Sequence, residues 1–290
     1  MTAREVASTI HLKEPSVVVA GDWHGNRGWI AQAIPAAART GARTMLHLGD
    51  FGFWPQESDD LLADVDYWVA STRRSAKEPG IKRILVTPGN HEDWSDLAAL
   101  FDAEPGHAVR ASSSVWVLPR GFRFTIRNRS LLSFGGAASL DFSERVPGKV
   151  WWPSELPSVT AAEEAASSGQ VDVLLTHDTG ALHGPGIRKI LTRRETGRSP
   201  AARAYSSYSR ELVTAVLTGT RPSLHLHGHY HCRDSAAQVI DSSMLRVESL
   251  AMDGQPGNLV LVDLTTMSVD DIDPWPRPAH SMGLEPTFSF

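Results

Sequence analysis

Short apolar runs rich in β-branched residues recur along the first three-quarters of the chain, each bounded by glycine, proline or polar residues. Ser16–Ala20 (SVVVA) predicts a buried strand, and residues 45–48, 84–87, 171–176 and 224–227 predict four more. Between them, residues 59–75 place Leu61, Leu62, Val65, Trp68 and Val69 on one face at helical spacing, and residues 93–101 predict a shorter helix. This alternation is that of an α/β fold. Residues 115–118, 122–126, 131–134, 239–240, 244–248, 258–264 and 267–271 also read as strands, with few helices among them, and predict antiparallel meanders. So many strands bury both faces only if two sheets pack together with helices outside. The expected architecture is a four-layer α/β/β/α sandwich of two mixed sheets. Residues 1–272 form the expected domain; 273–290, with four prolines and no periodicity, read as a surface tail.

Composition narrows the class. With 41% hydrophobic and 21% charged residues among 290, the chain can bury a real core, which excludes a disordered or fibrous protein. Its 28 basic and 33 acidic residues leave a net charge of −5, which argues against nucleic-acid binding through overall charge. The single cysteine, Cys232, excludes an internal disulfide framework. No apolar run approaches the roughly 20 residues of a membrane span, and the first residues lack the apolar centre of a signal peptide. A cytoplasmic protein without a membrane partner is expected. One stretch, 187–210, holds seven basic residues against Glu195, and its composition predicts a long loop or broken helix. It reads first as a solvated surface; the functional alternative is that Arg188, Arg193 and Arg194 guide an anionic substrate.

The chemistry sits at the strand ends. Each of the five runs is followed by metal-binding residue types: Gly21-Asp22-Trp23-His24-Gly25, then Gly49-Asp50, then Gly89-Asn90-His91-Glu92, then His177-Asp178, then Gly228-His229-Tyr230-His231. In open α/β sheets ligands bind at the carboxyl ends of strands, so these five endings are expected to converge. Asp22, His24, Asp50, Asn90, His177, His229 and His231 are too many ligands for one ion. A mixed nitrogen and oxygen set of this size suits two transition ions ~3.5–4 Å apart, and suits calcium or magnesium poorly.

The order Asp-x-His, Gly-Asp, Gly-Asn-His-Glu, His, Gly-His-x-His resembles that of the calcineurin-like metallophosphoesterase superfamily, from about Val17 to His231. The resemblance implies that Asp22, His24, Asp50 and His231 hold one metal, that Asp50, Asn90, His177 and His229 hold the other, and that Asp50 bridges. Manganese leads the metals it implies, with iron, zinc or nickel as alternatives. His91 is implied to be catalytic, donating to a phosphoryl oxygen or the leaving group, while a metal-bridging hydroxide attacks phosphorus. The family's protein phosphatases extend the second motif to Gly-Asp-x-x-Asp-Arg-Gly; here Gly49-Asp50 runs into Phe51-Gly52-Phe53-Trp54. Without that Asp and Arg, a phosphodiester is the preferred substrate. A second segment, from Gly135-Gly136-Ala137 through Asp141 to Trp151-Trp152-Pro153, resembles one in bacterial and phage members.

Other residues carry plainer readings. Glu92 and Asp178 are expected to orient imidazoles, and His47, His225 and His227, inside strands, to be packed. Trp23 and Trp54, close to ligands in sequence, are candidates to stack on a nucleobase. The expected function is hydrolysis of a cyclic nucleotide or other small phosphodiester. A phosphomonoesterase or nuclease of the same superfamily and a non-catalytic scaffold are the alternatives. The substrate partner is a small phosphate ester, with polynucleotide less favoured and oligomeric state open.

Overall fold

A computed structural model describes residues 5–54, 58–75, 80–240 and 243–275. Two short strands, β1 (Val6–Ala7) and β2 (His11–Leu12), precede β3 (Ser16–Ala20), α1 (Arg27–Ala38) and β4 (Thr44–His47). Next come α2 (Ser58–Ser75), β5 (Arg83–Val86), α3 (Trp94–Ala103), β6 (Ala108–Arg110), β7 (Val115–Val117), β8 (Phe122–Ile126) and β9 (Arg129–Phe134). The second half runs α4 (Val159–Ser167), β10 (Val173–Thr176), α5 (Pro185–Glu195), α6 (Pro200–Thr220) and β11 (Leu224–His227). It closes with β12 (Asp234–Ile240), β13 (Ser243–Ser249), β14 (Leu259–Asp263) and β15 (Val269–Asp271).

The strands form two mixed sheets, ordered β1-β6-β7-β5-β4-β3-β14-β15 and β12-β13-β11-β10-β9-β8-β2. Alternation along the strands sets the layers. Val17, Val19, Leu46, Leu48 and Leu85 from one sheet meet Phe124, Leu131, Val173, Leu175 and Leu226 from the other in the central core. The intervening Val18, Met45, Ile84 and Val86 face the helical layer of Trp29, Ile30, Leu61 and Val65. Leu132, Phe134, Leu174 and Val247 likewise meet Ala162, Val213 and Val216 of α4 and α6. The four-layer α/β/β/α sandwich is therefore present, with its central strands buried on both faces.

The meander reading holds only locally. β8–β9, β12–β13 and β14–β15 are antiparallel pairs, but β7 pairs in parallel with β5, and β13 in parallel with β11. The chain changes sheets between β7 and β8, which a pattern of alternation cannot reveal. The basic stretch is a broken helix: α5 ends at Glu195, and α6 restarts at Pro200 behind the cap of Ser199, whose hydroxyl accepts the Ala202 N–H. Of the expected tail, 276–290 lies outside the described residues.

Candidate metal centre

The carboxyl ends of β3, β4 and β5 in one sheet and β10 and β11 in the other meet at one edge of the sandwich. The loops there are cross-tied: the N–H groups of Trp23 and His24 donate to the Asp50 carbonyl at 3.0 and 2.7 Å, and the Asp253 N–H to the Asp22 carbonyl at 2.7 Å. His24, Asp50, His229 and His231 all adopt left-handed backbone, with φ of 46°, 49°, 68° and 55°. Such conformations cost on the order of 1 kcal/mol each and persist where the surroundings impose them, typically at functional sites. Gly49 makes the tight approach possible: at its φ of +99°, a β-carbon would lie 2.5 Å from the Gly89 nitrogen.

The two carboxylates are held alike. Asp22 Oδ1 accepts the His229 N–H at 3.1 Å and Asp50 Oδ1 the His91 N–H at 2.8 Å. The second oxygen of each, Asp22 Oδ2 and Asp50 Oδ2, is buried and makes no hydrogen bond. Imidazoles face them: His231 Nε2 lies 3.1 Å from Asp22 Oδ2, and His24 Nε2 lies 3.6 Å from Asp50 Oδ2. On the other side His177 Nε2 is 3.2 Å from Asp50 Oδ1 and 3.0 Å from Asn90 Oδ1. Ligand atoms ~2.1 Å from a common ion at tetrahedral or octahedral angles sit roughly 3.0–3.4 Å apart, so this is the spacing of a ligand cage. The donor atoms of Asp22, His24, Asp50 and His231 lie within 4.8 Å of one another, as do those of Asp50, His177 and His229. Two buried orphaned carboxylate oxygens inside such a cage fit cations.

The imidazoles are oriented from behind. His177 Nδ1 lies 2.6 Å from the Leu48 carbonyl and His24 Nδ1 lies 2.9 Å from Asp253 Oδ1. Both acceptors require a proton on Nδ1, which turns Nε2 toward the carboxylates. Burial alone would depress both rings. Asp50, with Asp253 and Asp22, outweighs it at His24 and raises that pKa to about 9; Asp50 and Asp22 raise His177 to about 10. Conversely, burial would raise Asp50, yet His177, His91 and His24 hold it well below the usual carboxylate range. His229 goes the other way: burial, then His177 and Arg194, push it well below its ordinary value.

The profile of the calcineurin-like phosphoesterases matches residues 15–233. The chain belongs to this family. Its two groups of Asp and His donors accord with the two divalent ions typical of calcineurin-like phosphoesterases. No curated protein matches the sequence. Among solved structures, one crystal structure is 13% identical with a TM-score of 0.51, covering 89% of this chain and 98% of its own. TT1561 of Thermus thermophilus is 11% identical with a TM-score of 0.49, covering 90% of this chain and 99% of that one. GAP50, the anchor in the inner membrane complex of Plasmodium, is 11% identical with a TM-score of 0.44, covering 89% of each chain. At 13% identity and a TM-score of 0.51, the first of these shows a likeness of fold alone. Among the described residues, no helix is long and apolar enough to cross a membrane.

Within the calcineurin-like site, all seven candidate ligands and His91 lie together, but several supporting roles differ from expectation. Glu92 orients no imidazole; its buried carboxylate collects the N–H groups of Phe51, Gly52 and Phe53 at 2.8–3.2 Å and shapes the loop after Asp50. Asp178 accepts from the hydroxyls of Ser209 and Tyr230, tying α6 to the site floor. Trp23 cannot stack on a base. It is fully buried, with its indole N–H on Asn258 Oδ1 at 3.2 Å. Trp54 is partly exposed, its ring 6.1 Å from that of His91. Of the arginines, Arg194 reaches the site, donating to the His229 carbonyl at 3.2 Å. Arg188 instead lines a separate cavity with Leu217 and Leu245, and Arg193 is exposed. His47, His225 and His227 are buried and packed; burial lowers His47 to about 3 and His227 to about 4.

Four supporting residues escape sequence reasoning. Asp253 backs His24 from 229 positions away. Ser139 accepts the Asn90 amide N–H at 2.9 Å and donates to Glu155 Oε2 at 2.8 Å, so the Asn90 carbonyl oxygen points to His177. Glu155 also accepts from the Ser139 N–H and the Tyr205 hydroxyl, yet burial pushes its carboxyl up to about 7. Arg145 lies against His91. The last three belong to or flank the Gly135–Pro153 segment, the one available signal.

Proposed function

We propose that this chain is a dinuclear metal-dependent phosphoesterase of the cytoplasm that hydrolyses small phosphodiesters, a cyclic nucleotide being the leading candidate. One observation carries the reading: Asp22 Oδ2 and Asp50 Oδ2, buried and without hydrogen bonds, face imidazole nitrogens at ligand spacing. Asp22, His24, Asp50 and His231 would hold one ion and Asp50, Asn90, His177 and His229 the other. When bound, two divalent ions, manganese first among them, supply charge that polarises phosphoryl oxygens and acidifies water. The chain's own residues then do the positioning. Leu48 and Asp253 keep a proton on Nδ1 of His177 and His24, leaving each Nε2 for coordination. His91, fixed at its backbone by Asp50, presents its ring at the mouth, where it donates a hydrogen bond to a phosphoryl or leaving oxygen. The diester preference rests on Phe51-Gly52-Phe53-Trp54 standing where phosphatases carry Asp and Arg, and Trp54 offers a face for a base.

The test is hydrolysis of bis(p-nitrophenyl) phosphate and p-nitrophenyl phosphate, with Mn²⁺ or chelator, by wild type and Asp50→Ala. Diester cleavage that needs metal and falls by about three orders of magnitude in the variant is expected. A folded, metal-loaded wild type that cleaves neither ester would overturn the reading and favour a scaffold.

A further inference from the structure

The arginine that the second motif lacks reappears from elsewhere in the chain. Arg145, 54 positions from His91, places Nη1 2.9 Å from His91 Nδ1 and Nη2 3.3 Å from His91 Nε2. The two nitrogens of an imidazole point in diverging directions, so one guanidinium cannot donate in the ring plane to both. One N–H of Nη1 and one of Nη2 are therefore directed at the ring, and each of these nitrogens keeps a second N–H. Nε forms an ion pair with Asp141 at 2.9 Å, and Nη1 also reaches the Val150 carbonyl at 3.2 Å. Among the described residues Nη2 has no oxygen acceptor. The Arg145 side chain is four-fifths buried, and it projects from a segment that is itself anchored: Glu155 takes both the N–H and the hydroxyl of Ser139, and Arg120 donates to the carbonyls of Gly135, Ser154 and Glu155. A cation with a free donor is thus fixed beside the ring at the mouth of the metal site.

Resting on the phosphoesterase reading above, we propose that Arg145 is a substrate-binding residue whose remaining Nη2 N–H donates to a non-bridging phosphoryl oxygen next to His91. A guanidinium N–H makes a charge-assisted hydrogen bond to a phosphoryl oxygen, and a rigidly held donor loses little entropy on binding. This donor comes from the β9–α4 segment, where the phosphatases use the second motif. It also restores the feature whose absence disfavours a terminal phosphate, so a phosphomonoester becomes a substrate to compare directly with the diester.

The experiment is calorimetric titration of inorganic phosphate into Mn²⁺-loaded wild type, Arg145→Ala and Arg145→Lys, with bound manganese measured in each. Expected is a Kd for phosphate ~10–100-fold higher in Arg145→Ala, a partial recovery in Arg145→Lys, and unchanged manganese content. The KM of whichever ester is turned over should rise in parallel, with a smaller change in kcat. An unchanged phosphate Kd in Arg145→Ala at full manganese loading overturns the proposal, as does a wild type that binds no phosphate. Because binding is read without turnover, a wild type that binds phosphate through Arg145 but cleaves no ester would count against the enzyme reading and leave the Arg145 contact standing.

Discussion

Each candidate ligand is defined as much by what stands behind it as by its own side chain. The His24 ring is aimed by Asp253, and a carboxylate behind a ligating imidazole typically accounts for 10–100-fold in metal affinity. Asp253→Asn should therefore weaken Mn²⁺ binding by ~10–100-fold in competition with a chelator, while leaving the fold intact. An unchanged affinity would show that Asp253 merely pairs with Asn26, which donates to its other oxygen. The ligands themselves are legible in the sequence, because strand ends converge and spacing such as Asp22-x-His24 sets direction. Asp253, Ser139 and Glu155 are not legible: their partners lie between 16 and 229 positions away, and nothing local distinguishes a carboxylate that orients a ligand from one on the surface.

At the scale of elements, the segment between β9 and α4 latches onto the site through Glu155. Burial raises the Glu155 pKa from an ordinary 4.5 to about 7, so between those values the folded chain holds a proton that the unfolded chain has lost. The Glu155 contribution to the stability of the metal-free protein should therefore fall as pH rises from 4.5 to about 7 and level off above, by on the order of 3 kcal/mol. Glu155→Gln should reduce the slope in urea melts across that pH range by this share. A slope unchanged by the substitution would assign it to another group. Gly49 ties the β4 loop to the β5 loop, and Gly49→Ala should cost ~2–4 kcal/mol through both its φ and the clash with Gly89. A melting temperature within a degree of wild type would contradict that. Alternation in the sequence discloses the strands and the two-sheet core, but not α1, whose alanine-rich face hides in residues 27–38, nor the sheet change between β7 and β8. Pairing partners are chosen by tertiary packing, which short apolar runs do not encode.

For the whole molecule, the proposed small phosphate ester, rather than a long polyanion, is the substrate in keeping with a net charge of −5. Two of the seven basic residues of the stretch are neutralised, Arg198 by Glu144 and Arg210 by Glu195, and Arg194 turns to the site. The double variant Arg188→Gln, Arg193→Gln should leave the KM of a small ester within ~2-fold across 50–300 mM salt, since exposed charges at that range are screened. A salt-dependent rise would restore a guiding role to that surface. The central claim is that two cations complete the sandwich edge. Counting bound manganese per chain by elemental analysis after loading and gel filtration tests it most directly. About two per wild-type chain, dropping to one or none in Asp50→Ala, is the predicted result; a folded wild type that retains no metal would contradict it.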